Sequence, residues 1–269
     1  MTKVIAGPWV GEFGWELFCW QAYLRAIKQQ LDVEDMVAIT RPGRELLYED
    51  FCKVETTEIP VKNADSWHNA GVKSATILQK ISEKYPDYQV LSPFNGRYYG
   101  KPIRGRLLGK NVTIDPIFAP LGQESPNASY QVLLHARDRA HRARDNWALD
   151  NWESLVSYFE ENNISYAFIG SKTEAICLKD SADLRGIDLR QLTKYLAGAK
   201  AIVGPSSGPM HLASLSKCPQ LVWSGSDINK SRYEVEWNPF DTRVEYIGRN
   251  LGGWHPTPET VIDKLKNML

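Results

Sequence analysis

The sequence predicts an α/β protein with two Rossmann-like domains that face a cleft. Short apolar runs, typical of buried strands, alternate with segments of helical periodicity along a chain of 269 residues. Such alternation favours parallel strands joined by right-handed helical crossovers. The pattern stops at 121–129, where turn-forming residues accumulate without periodicity, and then starts again. The break predicts domains at about 1–122 and 130–250, followed by a C-terminal helix within 256–269.

Each predicted strand is a short apolar run bounded by turn formers, and each predicted helix has apolar residues three or four positions apart. In the first half the elements are, in order, a strand at 4–6, a helix at 14–30, a strand at 36–39, a short helix at 44–52, a strand at 57–61, a helix at 72–84 and a strand at 89–91. In the second half they are a strand at 131–135, a helix at 150–162, and strands at 166–170, 199–203, 220–223 and 244–247. The last helix starts with Thr257, Pro258 and Glu259, a favourable N-terminal sequence.

The composition limits the cellular compartment and the classes of binding partner that we expect. Lys plus Arg and Asp plus Glu both number 32, so no net field attracts nucleic acid or membranes, and a polyanion would have to bind a local patch. The cysteines are scattered without a Cys-x-x-Cys pair, which fits a reducing compartment. No run approaches the roughly 18 apolar residues of a transmembrane segment, and the apolar start is too short for a signal peptide. We expect a cytoplasmic protein without a transmembrane segment.

The stretch 204–213, Gly-Pro-Ser-Ser-Gly-Pro-Met-His-Leu-Ala, follows a predicted buried strand and opens a predicted helix. Ser207 suits the N-cap, Pro209 suits the first turn, and Gly208 lets a bulky anion approach the backbone. A helix N-terminus at the carboxyl end of a strand binds phosphate, and His211 can add a donor one turn later. The residues predicted to hold a diphosphate are Ser206, Ser207, Gly208, Pro209, Met210 and His211.

Two further loops of the second half are candidates for the same ligand. The first runs from His135 to Trp147 and carries four arginines and two histidines, and arginine suits phosphate oxygens. His135 and Arg137 are its favoured residues because they lie nearest the end of the strand. The second contains Gly170 and Ser171 and is predicted as another strand-to-helix turn. The alternatives are a solvated surface loop for the first and a capped helix start for the second.

A glycine-rich turn at 7–16 follows the first strand, where open α/β sheets bind ligands. It places the carboxylates of Glu12 and Glu16 in position to take a proton from an acceptor hydroxyl. Both are therefore predicted as catalytic. The alternative for Glu16 is an exposed first-turn residue that the helix dipole favours.

Weaker features of the sequence predict where the acceptor binds. The stretch 95–110 carries five basic residues and no acid, with tyrosines and glycines between them, and in a flexible loop this composition suits a polyanion. A solvated loop is the alternative. Of the nine tryptophans, Trp15 and Trp254 are the candidates for stacking on a sugar. The predicted acceptor-binding residues are Trp15, Arg97, Tyr98, Lys101 and Arg104.

The second half resembles the bacterial heptosyltransferases and their relatives among the GT-B glycosyltransferases. In that family a strand is followed by Gly-x-Asp-Ser/Thr-Gly-x-x-His-Leu-Ala, whose turn holds the donor diphosphate, and Ser206 stands here in place of the Asp. The matching residues are Gly204, Ser207, Gly208, His211, Leu212 and Ala213. The resemblance implies a compact, divergent member with the GT-B fold. In the family the Asp is associated with contacts to the donor sugar, so its replacement leaves the donor identity open.

Other parts of the chain support the same resemblance. The loop 135–147 and the helix start at 151–155 are similar to the first strand and Trp-Pro-x-x-x-Trp-x-x-Leu segment of the family. The stretch from Trp9 to Glu12 resembles the Gly-Asp loop of the family, whose acid is the proposed base, and this implies that Glu12 is the base. The resemblance covers roughly 130–225 well and 4–27 loosely.

These observations predict an inverting, metal-independent glycosyltransferase that uses a nucleoside diphosphate sugar and no cofactor. The sequence has no Asp-x-Asp and no zinc-type spacing of His and Cys, and a helix dipole with basic side chains can offset the charge of a leaving diphosphate. The expected acceptor is an anionic molecule with a free hydroxyl, either a cell-envelope glycan or a hydroxylated base in DNA. The alternatives are a sugar-nucleotide epimerase of the same fold and a non-catalytic nucleotide-binding module.

Overall fold

A computed structural model describes residues 2–59, 70–93 and 101–269. The chain forms two compact units, Met1–Ala119 and Pro120–Leu269. No helix in those described stretches is long and apolar enough to cross a lipid bilayer.

The first unit contains, within its described residues, a four-stranded parallel sheet in the order β3-β2-β1-β4 and a separate two-stranded antiparallel hairpin. Its elements are β1 (Thr2–Ala6), α1 (Phe13–Cys19), α2 (Gln21–Gln30), β2 (Val33–Thr40), β3 (Lys53–Thr56), α3 (Ala70–Ser82), β4 (Gln89–Leu91), β5 (Ile103–Leu107) and β6 (Lys110–Ile114). The strand β1 lies in the middle of the sheet, and Val4, Ile5 and Ala6 are fully buried. This explains why its sequence is a continuous apolar run.

The second unit contains a five-stranded parallel sheet in the order β11-β10-β9-β7-β8. Its elements are β7 (Val132–Leu134), α4 (Leu149–Glu161), β8 (Tyr166–Phe168), α5 (Leu189–Gly198), β9 (Ala201–Pro205), α6 (Gly208–Leu215), β10 (Gln220–Trp223), α7 (Ile228–Ser231), β11 (Val244–Ile247) and α8 (Pro258–Lys266). The three middle strands β7, β9 and β10 are buried along their whole length, as a doubly covered parallel sheet requires.

Three tryptophans form the centre of the core in the second unit. The ring centroid of Trp147 lies 4.8 Å from that of Trp152 and 5.0 Å from that of Trp223. The Trp147 indole N–H donates to the carbonyl of Pro256 at 2.8 Å, which ties the chain just before α8 to this cluster. Val261 and Leu265 of α8 belong to the same core. The C-terminal helix is therefore an integral part of the second unit.

Several predicted elements of the first half differ from the structure. The helix expected at 14–30 is broken at Trp20, whose φ of −135° is not helical and whose side chain is fully buried. The short helix expected at 44–52 is reduced to a 3₁₀ turn at Glu45–Leu47. The strand expected at 57–61 is wrong, because the third strand is β3 and it ends at Thr56, while 60–61 lie outside the described residues. As an edge strand it is not buried, so its polar sequence lacks the apolar run that marked the other strands.

Two loops were also predicted wrongly. The helix expected after Gly170 does not form, and the chain continues without a helix until α5. The expected flexible loop at 95–110 contains the first strand and the tip of the β5–β6 hairpin; its residues 95–100 lie outside the described part of the chain. The strand β5 carries Arg104, Gly105 and Arg106 at exposed positions. A strand that is exposed on both faces shows no hydrophobic alternation, so periodicity could not reveal it.

Candidate active site

The strand order of the second unit predicts where a ligand binds. From β7 the chain passes to β8 on one side, and then to β9 on the other side. In an open parallel sheet the crevice outside the carboxyl ends of such a strand pair is the usual ligand site. The two loops that leave this pair are the ones that the sequence selected, at 135–148 after β7 and at 206–207 after β9.

The turn after β9 presents the N-terminus of α6. Ser207 is the N-cap with an extended backbone, but its side chain makes no capping hydrogen bond. Its hydroxyl oxygen is buried without a hydrogen-bond partner among the described residues. The first N–H groups of any helix also lack partners within the helix, which leaves Gly208 and Met210 as donors because Pro209 has no N–H. The turn thus combines backbone donors with an unsatisfied buried hydroxyl.

Arg137 lies beside this turn and is almost completely buried, with 4% of its surface exposed. Its guanidinium donates to the carbonyl of Ser206 at 2.9 Å and to the carbonyl of Asp145, and it lies 4.9 Å from the ring centroid of Trp254. No ion pair joins it to a carboxylate in the described part of the chain, and its Nε has no partner there. Burial lowers the pKa of Arg137 to about 10, so it stays protonated at neutral pH. The site therefore contains a buried positive charge without a close ion pair in the described residues, although the Asp145 carboxylate attracts it from farther away.

His135 and Gly170 pack against each other at the ends of β7 and β8. A Cβ atom at Gly170 would lie only 3.0 Å from Nδ1 of His135, and the φ of +124° at Gly170 also favours glycine. Burial, with smaller contributions from the positive charges of Arg137 and Arg139, lowers the pKa of His135 to about 4. His135 is therefore neutral at pH 7. Its proposed contact with the ligand stays a prediction.

Ser171 and His211 have neighbours that the sequence did not reveal. The Ser171 hydroxyl is exposed and accepts a hydrogen bond from the backbone N–H of Glu174 at 3.0 Å, so it stabilises a turn. The His211 ring is buried and stacks on Tyr233, with 4.4 Å between the ring centroids. Burial holds the pKa of His211 well below its usual value, and the Arg232 charge adds to this effect. Neutral His211 supplies no positive charge for a diphosphate.

In the first unit, the predicted catalytic carboxylates have different environments. Glu12 is exposed in the loop after β1, where it forms the N-cap position of α1 without a side-chain capping bond. Glu16 is buried and accepts hydrogen bonds from Arg44 at 2.5 Å and from the hydroxyl of Tyr48 at 2.8 Å. The alternative of an exposed Glu16 is therefore wrong. With both oxygens engaged, Glu16 has a structural environment, and Glu12 is the accessible carboxylate of the pair.

The predicted acceptor residues are divided by the structure. Trp15 is only 6% exposed, so its ring does not form an open stacking surface. Lys101 and Arg104 are exposed, and Arg104 shares one face of β5 with Arg106. Arg97 and Tyr98 lie outside the described residues.

Tyr233 is the site residue that sequence reasoning missed. It is fully buried in a π-helical segment, Arg232–Glu236. Its hydroxyl donates to the Ser206 hydroxyl at 3.1 Å and accepts from the Ser207 N–H at 3.1 Å. Nothing near Tyr233 in the sequence resembles a binding motif, so only its packing reveals the role.

Part of the second unit is similar to a known protein family. Residues 121–223 match the model of glycosyltransferase family 9 (heptosyltransferase). No match was found among curated protein sequences.

Solved structures of similar fold cover nearly the whole chain. The structure of E. coli ADP-heptose LPS heptosyltransferase II has a TM-score of 0.59 at 13% identity, covering 100% of this chain and 98% of its own. The E. coli heptosyltransferase WaaC with ADP has a TM-score of 0.58 at 14% identity, covering 100% of both chains. The dodecameric iron-containing heptosyltransferase TibC of enterotoxigenic E. coli, in complex with ADP-D-beta-D-heptose, has a TM-score of 0.52 at 13% identity, covering 90% of this chain and 62% of its own.

The solved structures show that the chain has a GT-B-like fold. Together with the match of residues 121–223 in the second unit to the family 9 (heptosyltransferase) model, this supports a glycosyltransferase. The resemblance predicted from 204–213 is thereby confirmed, and so is the α/β fold with parallel sheets. Among the three functional classes that the sequence allowed, these findings support glycosyl transfer.

The buried histidines predict that stability falls in acid. The unfolded chain binds a proton on His135 near pH 6.5, whereas the folded chain does so only near pH 4. The contribution of His135 to the free energy of unfolding is therefore fully present above pH 6.5. It is lost as the pH falls towards 4, and the loss amounts to about 3 kcal/mol. Urea unfolding of His135→Asn between pH 7 and 4.5 should show a weaker pH dependence than the wild type. The exposed His141→Asn is the control, and an unchanged slope in His135→Asn would contradict the assignment.

Proposed function

We propose that the protein transfers a sugar from a nucleoside diphosphate sugar to a hydroxyl of an anionic acceptor, with inversion and without a metal ion. The observation that carries this proposal is the buried guanidinium of Arg137 beside the N-terminus of α6, which forms no close ion pair among the described residues. A buried charge without a close ion pair is costly, and an anionic ligand reduces that cost.

The same arrangement supports chemistry at the diphosphate. When the bond between the sugar and the diphosphate breaks, negative charge develops on the leaving phosphate oxygen. Arg137 and the N–H groups at the start of α6 are fixed donors that can stabilise this charge as it forms. The Ser207 hydroxyl gains a partner in the same step. Arg137 and the turn at 206–210 are therefore the proposed donor-binding elements.

The nucleotide is the next part of the proposal. Two of the similar E. coli structures carry ADP and ADP-D-beta-D-heptose. Both share the GT-B fold with this chain, so we take an ADP-linked heptose as the first donor to test. Ser206 stands where the family pattern has Asp, so the site has one negative charge fewer near the sugar.

Glu12 is the proposed general base. Its loop leaves β1 at the point where the chain order of the first sheet reverses, between β1 and β4. Functional loops of open sheets occur at such points. Since Glu16 is already bound by Arg44 and Tyr48, Glu12 is the carboxylate available to take the proton of an acceptor hydroxyl.

We propose that neither a metal ion nor a cofactor takes part. No group of three or more His, Cys, Asp or Glu side chains in the described stretches is arranged to hold a metal. The iron of TibC is a property of that protein, so chelation is part of the experiment below. The four cysteines form no disulfide among the described residues, which supports a cytoplasmic location, where thiols stay reduced.

The donor site predicts a nucleotide-binding result. ADP, UDP and GDP are titrated calorimetrically against the wild type, Arg137→Gln and Arg137→Lys. Loss of the guanidinium should weaken binding of the preferred diphosphate by about 2 kcal/mol or more, roughly 30-fold in Kd, with a smaller loss in the lysine variant. The control Arg243→Gln removes an exposed arginine that pairs with Glu245. Equal affinity of wild type and folded Arg137→Gln would contradict the proposal.

The proposed base predicts a separate kinetic result. Glu12→Gln should bind the donor as the wild type does but lose about 10²- to 10⁴-fold in kcat, because the amide cannot take the proton. The exposed Glu83→Gln is the matched control. Turnover of the wild type should persist after treatment with EDTA, and NMR of the product should show the anomeric configuration opposite to that of the donor. Undiminished turnover of Glu12→Gln would exclude this role.

The anionic acceptor is proposed from the hairpin of the first unit. Lys101, Arg104 and Arg106 are exposed, and 101–114 contains no acidic residue. This local positive surface fits the phosphates of a cell-envelope glycan. Because such charges also suit DNA phosphates, a duplex with hydroxymethylated bases is the second acceptor in the assay.

The hairpin charges predict a change in acceptor affinity. Arg104→Glu should raise the KM for the anionic acceptor about tenfold while the donor KM stays unchanged, and added salt should reduce the difference. Lys84→Glu reverses an exposed charge elsewhere in the first unit and serves as the control. An acceptor KM that is insensitive to both the substitution and the salt would contradict an anionic acceptor at this hairpin.

A further inference from the structure

We propose that Trp254 is a positioning residue that holds the Arg137 guanidinium in its diphosphate-binding orientation, and that Gly225 provides the space for its indole. The inference rests on the proposed donor site. It concerns a part of the chain beyond 121–223, the stretch that matches the family.

The hydrogen bonds of Arg137 do not restrain the tilt of its guanidinium out of the plane. The carbonyls of Ser206 and Asp145 accept its N–H groups and fix them within the plane of the guanidinium. The acceptors lie along the N–H bonds, near that plane, and do not restrain its tilt. The guanidinium carbon also lies over the Trp254 ring, 4.9 Å from the ring centroid. An indole face attracts a cation, so the contact restrains the tilt of the guanidinium.

The use of an aromatic ring has a consequence for the charge. A carboxylate in the same place would bind the guanidinium more strongly, but it would neutralise the charge and compete with an incoming diphosphate. The indole orients the cation and leaves its charge intact. This agrees with the absence of an ion pair to Arg137 among the described residues.

The chain makes room for this ring. Gly225 follows β10, and a Cβ atom placed there would lie 2.4 Å from both Cδ1 and Nε1 of Trp254. The φ of Gly225 does not demand glycine, so the close approach of the indole is the reason for a glycine at this position. On the other side, Gly252 and Gly253 have φ values of +106° and +62°, and they lead the chain to Trp254.

Trp254 also differs from the core tryptophans of the same unit. Trp147, Trp152 and Trp223 pack against one another and are buried to at least 97%. Trp254 is only half-buried and packs on a cation. Filling the core therefore does not explain it.

The test measures the Kd of ADP, UDP, GDP and inorganic pyrophosphate by calorimetry. Trp254→Leu should weaken binding of the preferred diphosphate about tenfold, and Trp254→Phe should recover part of this loss. Gly225→Ala should weaken binding in the same direction, because it displaces the indole without removing it. Phe240→Leu is the matched control, since it removes a half-buried ring that contacts Lys217 at a similar distance of 5.2 Å.

A double-mutant cycle separates positioning from a structural role. In the Arg137→Gln background, Trp254→Leu should cause no further loss of affinity, because the group on which it acts is gone. A full additional loss in that background would overturn the proposal, and so would wild-type affinity in Trp254→Leu. Failure of the wild type to bind any of the four ligands would overturn the donor site itself together with this inference. Circular dichroism of each variant confirms that it is folded.

Discussion

The positive charge of Arg137 is the constraint on which the second unit depends. A guanidinium that is 96% buried would ordinarily be paired with a carboxylate, yet its hydrogen bonds go to the carbonyls of Ser206 and Asp145. Carbonyl oxygens position the guanidinium but carry no net charge, so they do not offset its positive charge. The start of α6 adds donors of the same polarity beside it. Under the proposed function, an anionic ligand reduces the cost of burying this charge.

The two units use the same topological device for different purposes. In each parallel sheet the strand order of the described residues reverses once, and a loop that carries predicted site residues leaves the carboxyl end of a central strand at that point. In the second unit the loop after β7 provides the buried positive charge of Arg137, and the turn after β9 provides the N–H groups at the start of α6. In the first unit it brings the exposed carboxylate of Glu12, while Glu16 one turn later is bound by Arg44 and Tyr48. Adjacent carboxylates thus acquire separate roles because only one of them is buried.

The sequence predicted the fold well where strands are buried and helices are amphipathic. The turn after β9 could be predicted because an apolar run, two serines, a glycine and a proline occur together, and each has a local conformational preference. The edge strand β3 and the β5–β6 hairpin were missed because exposed strands have no hydrophobic pattern. The break at Trp20 was missed because helical periodicity continues across it. Local preference is therefore sufficient for the core and insufficient for the periphery.

The sequence by itself determined the class of fold, the position of the turn that we propose binds a diphosphate, and the presence of basic residues after β7, because each depends on residues close together in the chain. Only the tertiary structure decided which of those residues are buried and what they contact. Tyr233 and Trp254 reach Ser206 and Arg137 from distant segments. The sequence selected Trp254 for stacking on a sugar, but no local pattern predicted either of these contacts. The reason is physical: burial and the lack of a close ion pair in the described residues, on which the proposed role of Arg137 rests, are properties of its packed surroundings and not of its neighbours in sequence.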